Sequence, residues 1–447
     1  MSRNHEELSS CVFVFFVNFV VPALALAGAY CGKIRRMKFK LLALIAATSA
    51  VVASVSLRGA APAGPVEFTP HDIDANFRGG YSVSVADFNK DGKIDVIANS
   101  LQVAELAWYE NPSWERHVVV PETQQIVNEA MADIDGDGIP EIAFQSSFAM
   151  QAEKSAGLNW IAHANGDPRQ PWTVKKIDEF PTSHHVAWAD LDGDGKKELV
   201  NAPLIGEKSI APTYDQDKAS VFWYSPKDWK RHLVTADIPG IIHRVRPVMW
   251  DGNKRQQFLI ASFEGIALYR PTGSGDAMKF EKTLLSPGHV EKAPRLGASD
   301  VGVGKQDGKR FLASVEPWHG NEVVVYTEKA GKWDRRVIFD KVSSGHEIAV
   351  LDLNGDGRDD IVANDNGRVT QQNPSATPGV HVFFAPADPA TGEWQYRRLE
   401  DKAAMNSCVG VDVNGDRRAD LVCTGAGGVI RWYENKGPAR GSTAGGR

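Results

Sequence analysis

The chain has 447 residues, 43% of them hydrophobic, and a formal charge of -6. Its first 63 residues carry seven Lys/Arg against two Glu, a net of +5, which leaves -11 on the rest. An acidic body with no basic stripe to follow phosphates argues against a nucleic-acid partner, and the length suits one long all-β repeat fold as well as several ordinary domains.

Residues 1–63 read as a leader. Lys38-Phe-Lys40 precedes an apolar run from Leu41 to Leu57 and small residues ending Ala61-Pro-Ala63, the charged, apolar and cleavage order of a secretory signal. Met37 opens that unit, so a signal is expected over 37–63, with 1–36 an upstream extension. A second apolar stretch, Cys11 to Tyr30, could instead anchor the chain in a membrane. Either way the body is expected to be secreted or periplasmic. Such a compartment permits a bridge between Cys408 and Cys423, which flank a turn near residue 415; two buried thiols are the alternative.

A short oxygen-rich loop then recurs five times: Asp87-Asn89-Asp91-Asp95, Asp133-Asp135-Asp137-Glu141, Asp190-Asp192-Asp194-Glu198, Asp352-Asn354-Asp356-Asp360 and Asp412-Asn414-Asp416-Asp420. Side-chain oxygens two residues apart, a turn glycine and a returning acid meet the demand of Ca²⁺ for about six to eight oxygens in a flexible loop. The closing acid stands at position nine and the flanks are β-rich, unlike an EF-hand. Two worn copies are expected between the third and fourth cages, one led by Asp251 and one by Asp300, both too poor in carboxylates for metal. Seven units result.

Each unit repeats one order of strands. An apolar strand enters the cage (Val186-Ala-Trp188-Ala), a second leaves it (Leu199-Val200), a third is aromatic (Val221-Phe-Trp223-Tyr224) and a fourth alternates (Trp229-Lys-Arg-His232). Period-two runs bounded by Gly, Pro and Asn are strands, and four strands in each of seven units predict an all-β, seven-bladed propeller over 64–435. The last unit lacks a fourth strand, while Val66-Glu-Phe-Thr-Pro-His71-Asp-Ile73 has that character with no unit before it. The N-terminal strand should therefore complete the last blade, leaving 436–447 as a loose tail.

The cages and the Trp-Tyr-Glu-Asn strands resemble the FG-GAP/VCBS repeats of seven-bladed propellers, the architecture of integrin α-subunit heads. The Phe-Gly…Gly-Ala-Pro signature is not preserved, which argues against integrin-like adhesion. The resemblance implies up to five structural Ca²⁺ ions that staple the first and second strands of a blade. Their 17 carboxylates repel one another without metal, so binding should stabilise the fold.

Chemistry is expected at the opposite end of the inner strands, roughly 16 Å from each cage at about 3.3 Å per residue. The residues predicted there are Tyr81-Ser82, Asn128-Glu129, His184-His185, His243-Arg244-Val-Arg246, Pro294-Arg295, His346-Glu347 and Asn406-Ser407. The loop Glu316-Pro-Trp318-His319-Gly-Asn321 should reach the same mouth, and longer loops at 146–157, 203–218 and 365–379 should wall it. His185, His243, His319 and His346, with Glu129 and Glu347, are the candidate catalytic groups. With His184 and Glu316 they could hold a Zn²⁺-like ion or supply an acid and a base, while Arg244, Arg246 and Arg295 could neutralise a carboxylate.

The His/Glu rim and the Glu316-Pro-Trp-His319-Gly run are also similar to the propeller portion of the aldos-2-ulose dehydratase family, which implies a metal and elimination of water from a keto-sugar. A uronate lyase would use the same base with an Arg against the carboxylate. The other reading is a non-catalytic scaffold whose mouth binds a glycan or a protein.

Overall fold

The computed structural model describes residues 66–367, 378–400 and 402–438. The expected leader over 1–63 and the last nine residues of the expected tail lie outside them. Seven four-stranded antiparallel sheets follow one another along the chain. Their inner strands are Gly80–Ala86, Asn128–Ala132, Ser183–Ala189, Ile242–Val248, Asp300–Gln306, Gly345–Leu351 and Ser407–Val411, here blades 1 to 7. Each inner strand packs on the next, and that of blade 7 packs on that of blade 1, so the ring closes. Closure is the predicted one: Val66–Asp74 pairs antiparallel with the third strand of blade 7, Val429–Pro438. That strand runs to Pro438, opposite Val66, so residues 436–438 belong to the blade rather than to a tail.

The core is divided like the sequence. Seven apolar clusters each join two consecutive blades; one unites Ile97 and Trp108 of blade 1 with Ile142 and Phe144 of blade 2. Trp108, Tyr224 and Tyr433 are fully buried, and a buried large apolar side chain contributes about 1.5–3 kcal/mol. The aromatic third strand is thus the glue between blades. Its tyrosines spend their hydroxyls on acids of the preceding blade's outer strand: Tyr224 on Asp178 and Tyr433 on Glu400. Cys408 and Cys423 lie directly opposite on paired strands and are joined as a disulfide.

The five cages sit between first and second strands as read. In each, the closing acid accepts a hydrogen bond from the amide seven residues earlier: Asp95 from Phe88, Glu141 from Ile134, Glu198 from Leu191, Asp360 from Leu353 and Asp420 from Val413. That regularity corrects the register of both worn copies. In blade 4, Gln257 takes the closing place and accepts from Trp250 N–H, seven residues back. Counting back, Met249 holds the position of the leading acid, and Asp251 holds the third. In blade 5 no cage loop exists. Gln306 and Lys309 are paired across a two-residue turn, Asp307-Gly308, with φ of 49° and 73°, the left-handed pair that a tight hairpin requires. Asp300 is therefore not a cage remnant. It begins the inner strand at the far end, seven residues from the turn.

Candidate active site at the propeller mouth

At the mouth each inner strand presents a consecutive pair of residues. In blades 1, 3, 4 and 6 the pairing with the second strand slips there, between Gly80 and Val83, Ser183 and His185, Ile242 and Arg244, and Gly345 and Ile348. A bulge lets two neighbouring side chains turn to one side of a strand that would otherwise alternate. The same four blades supply Tyr81-Ser82, His184-His185, His243-Arg244 and His346-Glu347. Blades 2, 5 and 7 keep regular register at this point.

The contacts sort these pairs into two groups. First members meet first members. Tyr81 Oη lies 2.9 Å from His184 Nε2 and 3.2 Å from His346 Nε2. The ring centroids of His184 and His243 are 5.2 Å apart, and those of His243 and His346 4.9 Å. His319 joins from the blade 5 loop, its Nε2 3.0 Å from His243 Nε2. That loop is pinned at both ends, by Trp318 N–H on Leu296 O and by Gly345 N–H on Gly320 O. His319 itself holds a φ of 47°, which non-glycine residues seldom adopt.

Second members form a charged layer. Arg244 donates to His185 Nε2 at 2.7 Å, pairs with Glu347, and has Nε 3.3 Å from Asp300. Arg246 donates to both Asp300 oxygens, and the amides of Val301 and Ile348 complete that carboxylate's shell. Glu347 also accepts from Ser407, while Glu129 accepts from Ser82 and Asn99.

Burial sets the protonation of both groups. Desolvation holds His184, His185 and His346 well below the usual imidazole range, and drops His243 to about 4, so all four are neutral at pH 7. Burial opposes charge on Asp300, but Arg244 and Arg246 outweigh it and keep its carboxyl below the usual range. Glu129, buried with only neutral hydrogen-bond partners, is pushed up to about 7.

Two of the imidazoles have a fixed tautomer. His243 Nδ1–H donates to Ser299 O at 2.9 Å, and His346 Nδ1–H to Asn406 O at 3.0 Å. Each therefore turns an unprotonated Nε2 into the cluster, the outer-shell arrangement of metal-ligating histidines. Ligand nitrogens of His243, His319 and His346 lie within 4.8 Å of one another. Two unprotonated Nε2 atoms, with the ring nitrogens of His319 beside them, are a ligand set that fits a borderline-soft divalent ion.

The other predicted groups are placed differently. His185 is tied to Arg244 and stands outside the three converging imidazoles. Glu316 is buried between Arg335 and the Tyr326 hydroxyl, as a blade staple. Asn321 caps the carbonyl of Asp340, and Arg295 pairs with Glu291 at the surface. Ser299-Asp300 takes the rim position assigned to Pro294-Arg295; the Asp-Gly turn that ends its strand is the signal that could have found it. Trp318 packs on Phe263 and Tyr214 as a loop aromatic. Beside Tyr81 and Trp318 lies an apolar cluster of Phe148, Leu204, Ile205, Ile241 and Phe263, to which the expected loops 146–157 and 203–218 contribute; most of the third, 365–379, lies outside the described residues.

The cage ends offer carboxylate oxygens, with the imidazole of His163 joining Asp135 and Glu141 at the second cage. Carboxylates of Asp133, Asp135 and Asp137, and of Asp190, Asp192 and Asp194, converge within 4.8 Å, and His163 approaches Glu141 at 2.8 Å beside the second loop. Burial pushes the closing acids up, Asp95 and Asp420 to about 6 and Glu198 and Asp360 to about 7.

Comparison with known proteins adds the repeat and one relative. The FG-GAP-like repeat family matches residues 87–144 and 133–200, and the FG-GAP repeat family residues 344–370. Aldos-2-ulose dehydratase of Phanerodontia chrysosporium is 24% identical over 263 residues, 52% of this chain; the chain spans 28% of that relative's length. A solved structure of BBS1N in complex with ARL6DN superposes over 84% of this chain and 98% of its own, with a TM-score of 0.50 and 9% identity, a likeness of fold alone. The chain is a seven-bladed β-propeller that carries FG-GAP-like repeats over residues 87–200 and an FG-GAP repeat over 344–370.

Proposed function

We propose that this protein is an exported, calcium-stapled propeller that eliminates water from a neutral keto-sugar at a divalent-metal site in its mouth. The observation that carries the reading is the fixed tautomer of His243 and His346, which aims two Nε2 lone pairs beside His319. The dehydratase relative points the same way. A divalent ion there would supply Lewis acidity toward a sugar carbonyl. The chain's own groups do the rest. Glu129, poised near neutrality, is assigned the base that takes the proton beside that carbonyl, in preference to Glu347, which is held by Arg244. Asp300 and Glu347 balance Arg244 and Arg246, so neither of these two guanidiniums is left for a substrate carboxylate. This favours a keto-sugar over a uronate.

The test uses the full chain in millimolar calcium. Zinc or cobalt should bind at one equivalent beyond the calcium sites, and His346→Ala should lose it without unfolding. Incubation with aldos-2-uloses should produce the ultraviolet absorbance of a conjugated unsaturated ketone, abolished in Glu129→Gln. Sugar binding without turnover would favour the scaffold reading.

A further inference from the structure

We propose that Tyr81 is a ligand-positioning donor at this site, held in check by His346 and released when His346 takes a metal ion. The inference rests on the reading of His243, His319 and His346 as metal ligands. It begins from proton bookkeeping. The His346 Nδ1 proton is spent on Asn406 O, so its Nε2, 3.2 Å from Tyr81 Oη, can only accept. On the other side, Tyr81 Oη is 2.9 Å from His184 Nε2. His184 is buried and its Nδ1 meets no hydrogen-bond partner among the described residues. A buried N–H without an acceptor costs more than a bare lone pair. The proton of His184 therefore sits on Nε2, where the phenol oxygen accepts it.

The result is a chain with one direction: His184 Nε2–H to Tyr81 oxygen, Tyr81 O–H to His346 Nε2, His346 Nδ1–H to Asn406 carbonyl. A metal ion and the Tyr81 proton compete for the same lone pair of His346. When the ion takes it, the hydroxyl must turn away, while His184 still fixes the phenol oxygen in place. Tyr81 and His319 are the members of the cluster that retain solvent exposure; His184, His243 and His346 are buried. An incoming ligand thus meets Tyr81 and His319 before the buried imidazoles, and the displaced O–H is available to a ligand oxygen held beside them. The ligand class is a hydroxy- or oxo-compound that chelates through oxygen, since the group offered is a donor.

The arrangement predicts from one substitution metal binding that does not weaken and ligand binding that does, a split that a packing role would not give. In full-length protein with millimolar calcium, cobalt(II) binding is followed by its visible bands, and acetohydroxamate is then titrated into the loaded protein as the probe. Tyr81→Phe should bind cobalt as tightly as the parent or several-fold tighter, because a competitor for His346 is gone, and should bind acetohydroxamate about tenfold more weakly. Weaker cobalt binding, or unchanged acetohydroxamate affinity, would overturn the assignment. If Tyr81→Phe does not fold, His184→Leu carries the test. It should leave cobalt affinity unchanged and weaken acetohydroxamate about threefold, and no weakening overturns the proposal. Parent protein that takes up no cobalt defeats the metal triad itself, whereas cobalt bound with the wrong signs defeats Tyr81 alone.

Discussion

The two ends of an inner strand solve opposite problems. At the cage end, every group needed for one loop lies within nine consecutive residues, all but the buried closing acid lie at or near the surface, and the pattern repeats in five blades. At the mouth end, residues from different blades meet, most of them buried, and the pair that each blade supplies is its own. A cage is local and survives or fails alone, as blade 5 shows by replacing its cage with a two-residue turn. The mouth exists only because the ring closes. Repetition therefore marks what holds the fold, and departure from repetition marks what the fold is for.

The largest expected effect comes from removing one charge at the buried end. Asp300 is fully buried and answers both Arg244 and Arg246. Asp300→Asn leaves Arg244 with Glu347 and takes from Arg246 its carboxylate partner, and breaking a buried pair of this kind costs about 3–5 kcal/mol. The matched change at the exposed end, Asp192→Asn in metal-free protein, should move stability by no more than about 0.5 kcal/mol. Denaturant titration of both variants checks the contrast, and equal costs would erase it.

Next in size, counted per site, is calcium removal. A site filled at about a hundred times its dissociation constant contributes about 2.7 kcal/mol, so chelator should lower the melting temperature markedly. The pH dependence should change as well. Without metal, the closing acids have folded-state pKa values raised by burial to about 6 or 7, above the ordinary carboxyl value near 4. The folded state then holds protons that the unfolded chain has released. Stability of the stripped protein should fall as pH rises from about 4 to about 7. With calcium present the ionised acids are paired and that fall should disappear. Melts across this range, with and without chelator, read it directly; a stripped protein that gains stability toward pH 7 would remove the closing acids from the account.

Much of this was legible because strands and cages are written in consecutive residues. Val186-Ala-Trp188-Ala could be read as a strand from its own period, and ring closure followed from one missing strand and one surplus strand. The histidine meeting was legible at the level of neighbourhood, through distance from the cage. Two things were not. Counting back from Asp300 placed Pro294-Arg295 at the rim, because a loop that has vanished leaves no acids to count from. The bulges that turn His184 and His185 to the same side have no composition of their own, since slippage is a property of the paired strands. The division of labour between the pairs, neutral imidazoles with Tyr81 against the charged layer around Arg244, appears only in three dimensions.

The smallest effect is the sharpest test of the cage rule. Blade 4 keeps Asp251 and Asn253 at the third and fifth positions, while Met249, more than half exposed, and Gln257 occupy the first and ninth. Gln257 already receives the Trp250 amide as Glu198 receives that of Leu191, so the loop has the backbone of a cage without its charge. Met249→Asp combined with Gln257→Glu should add one calcium equivalent by calorimetry and raise the melting temperature by a few degrees in calcium but not in chelator. Affinity should be below that of the neighbouring loops, because Arg270 donates to Asp251 at 2.9 Å and competes with the ion for that carboxylate. Adding Arg270→Gln should then tighten binding further. A double variant that folds and takes up no extra calcium would mean that the loop's oxygens alone do not make the site, and that the likeness among the five intact cages has another origin.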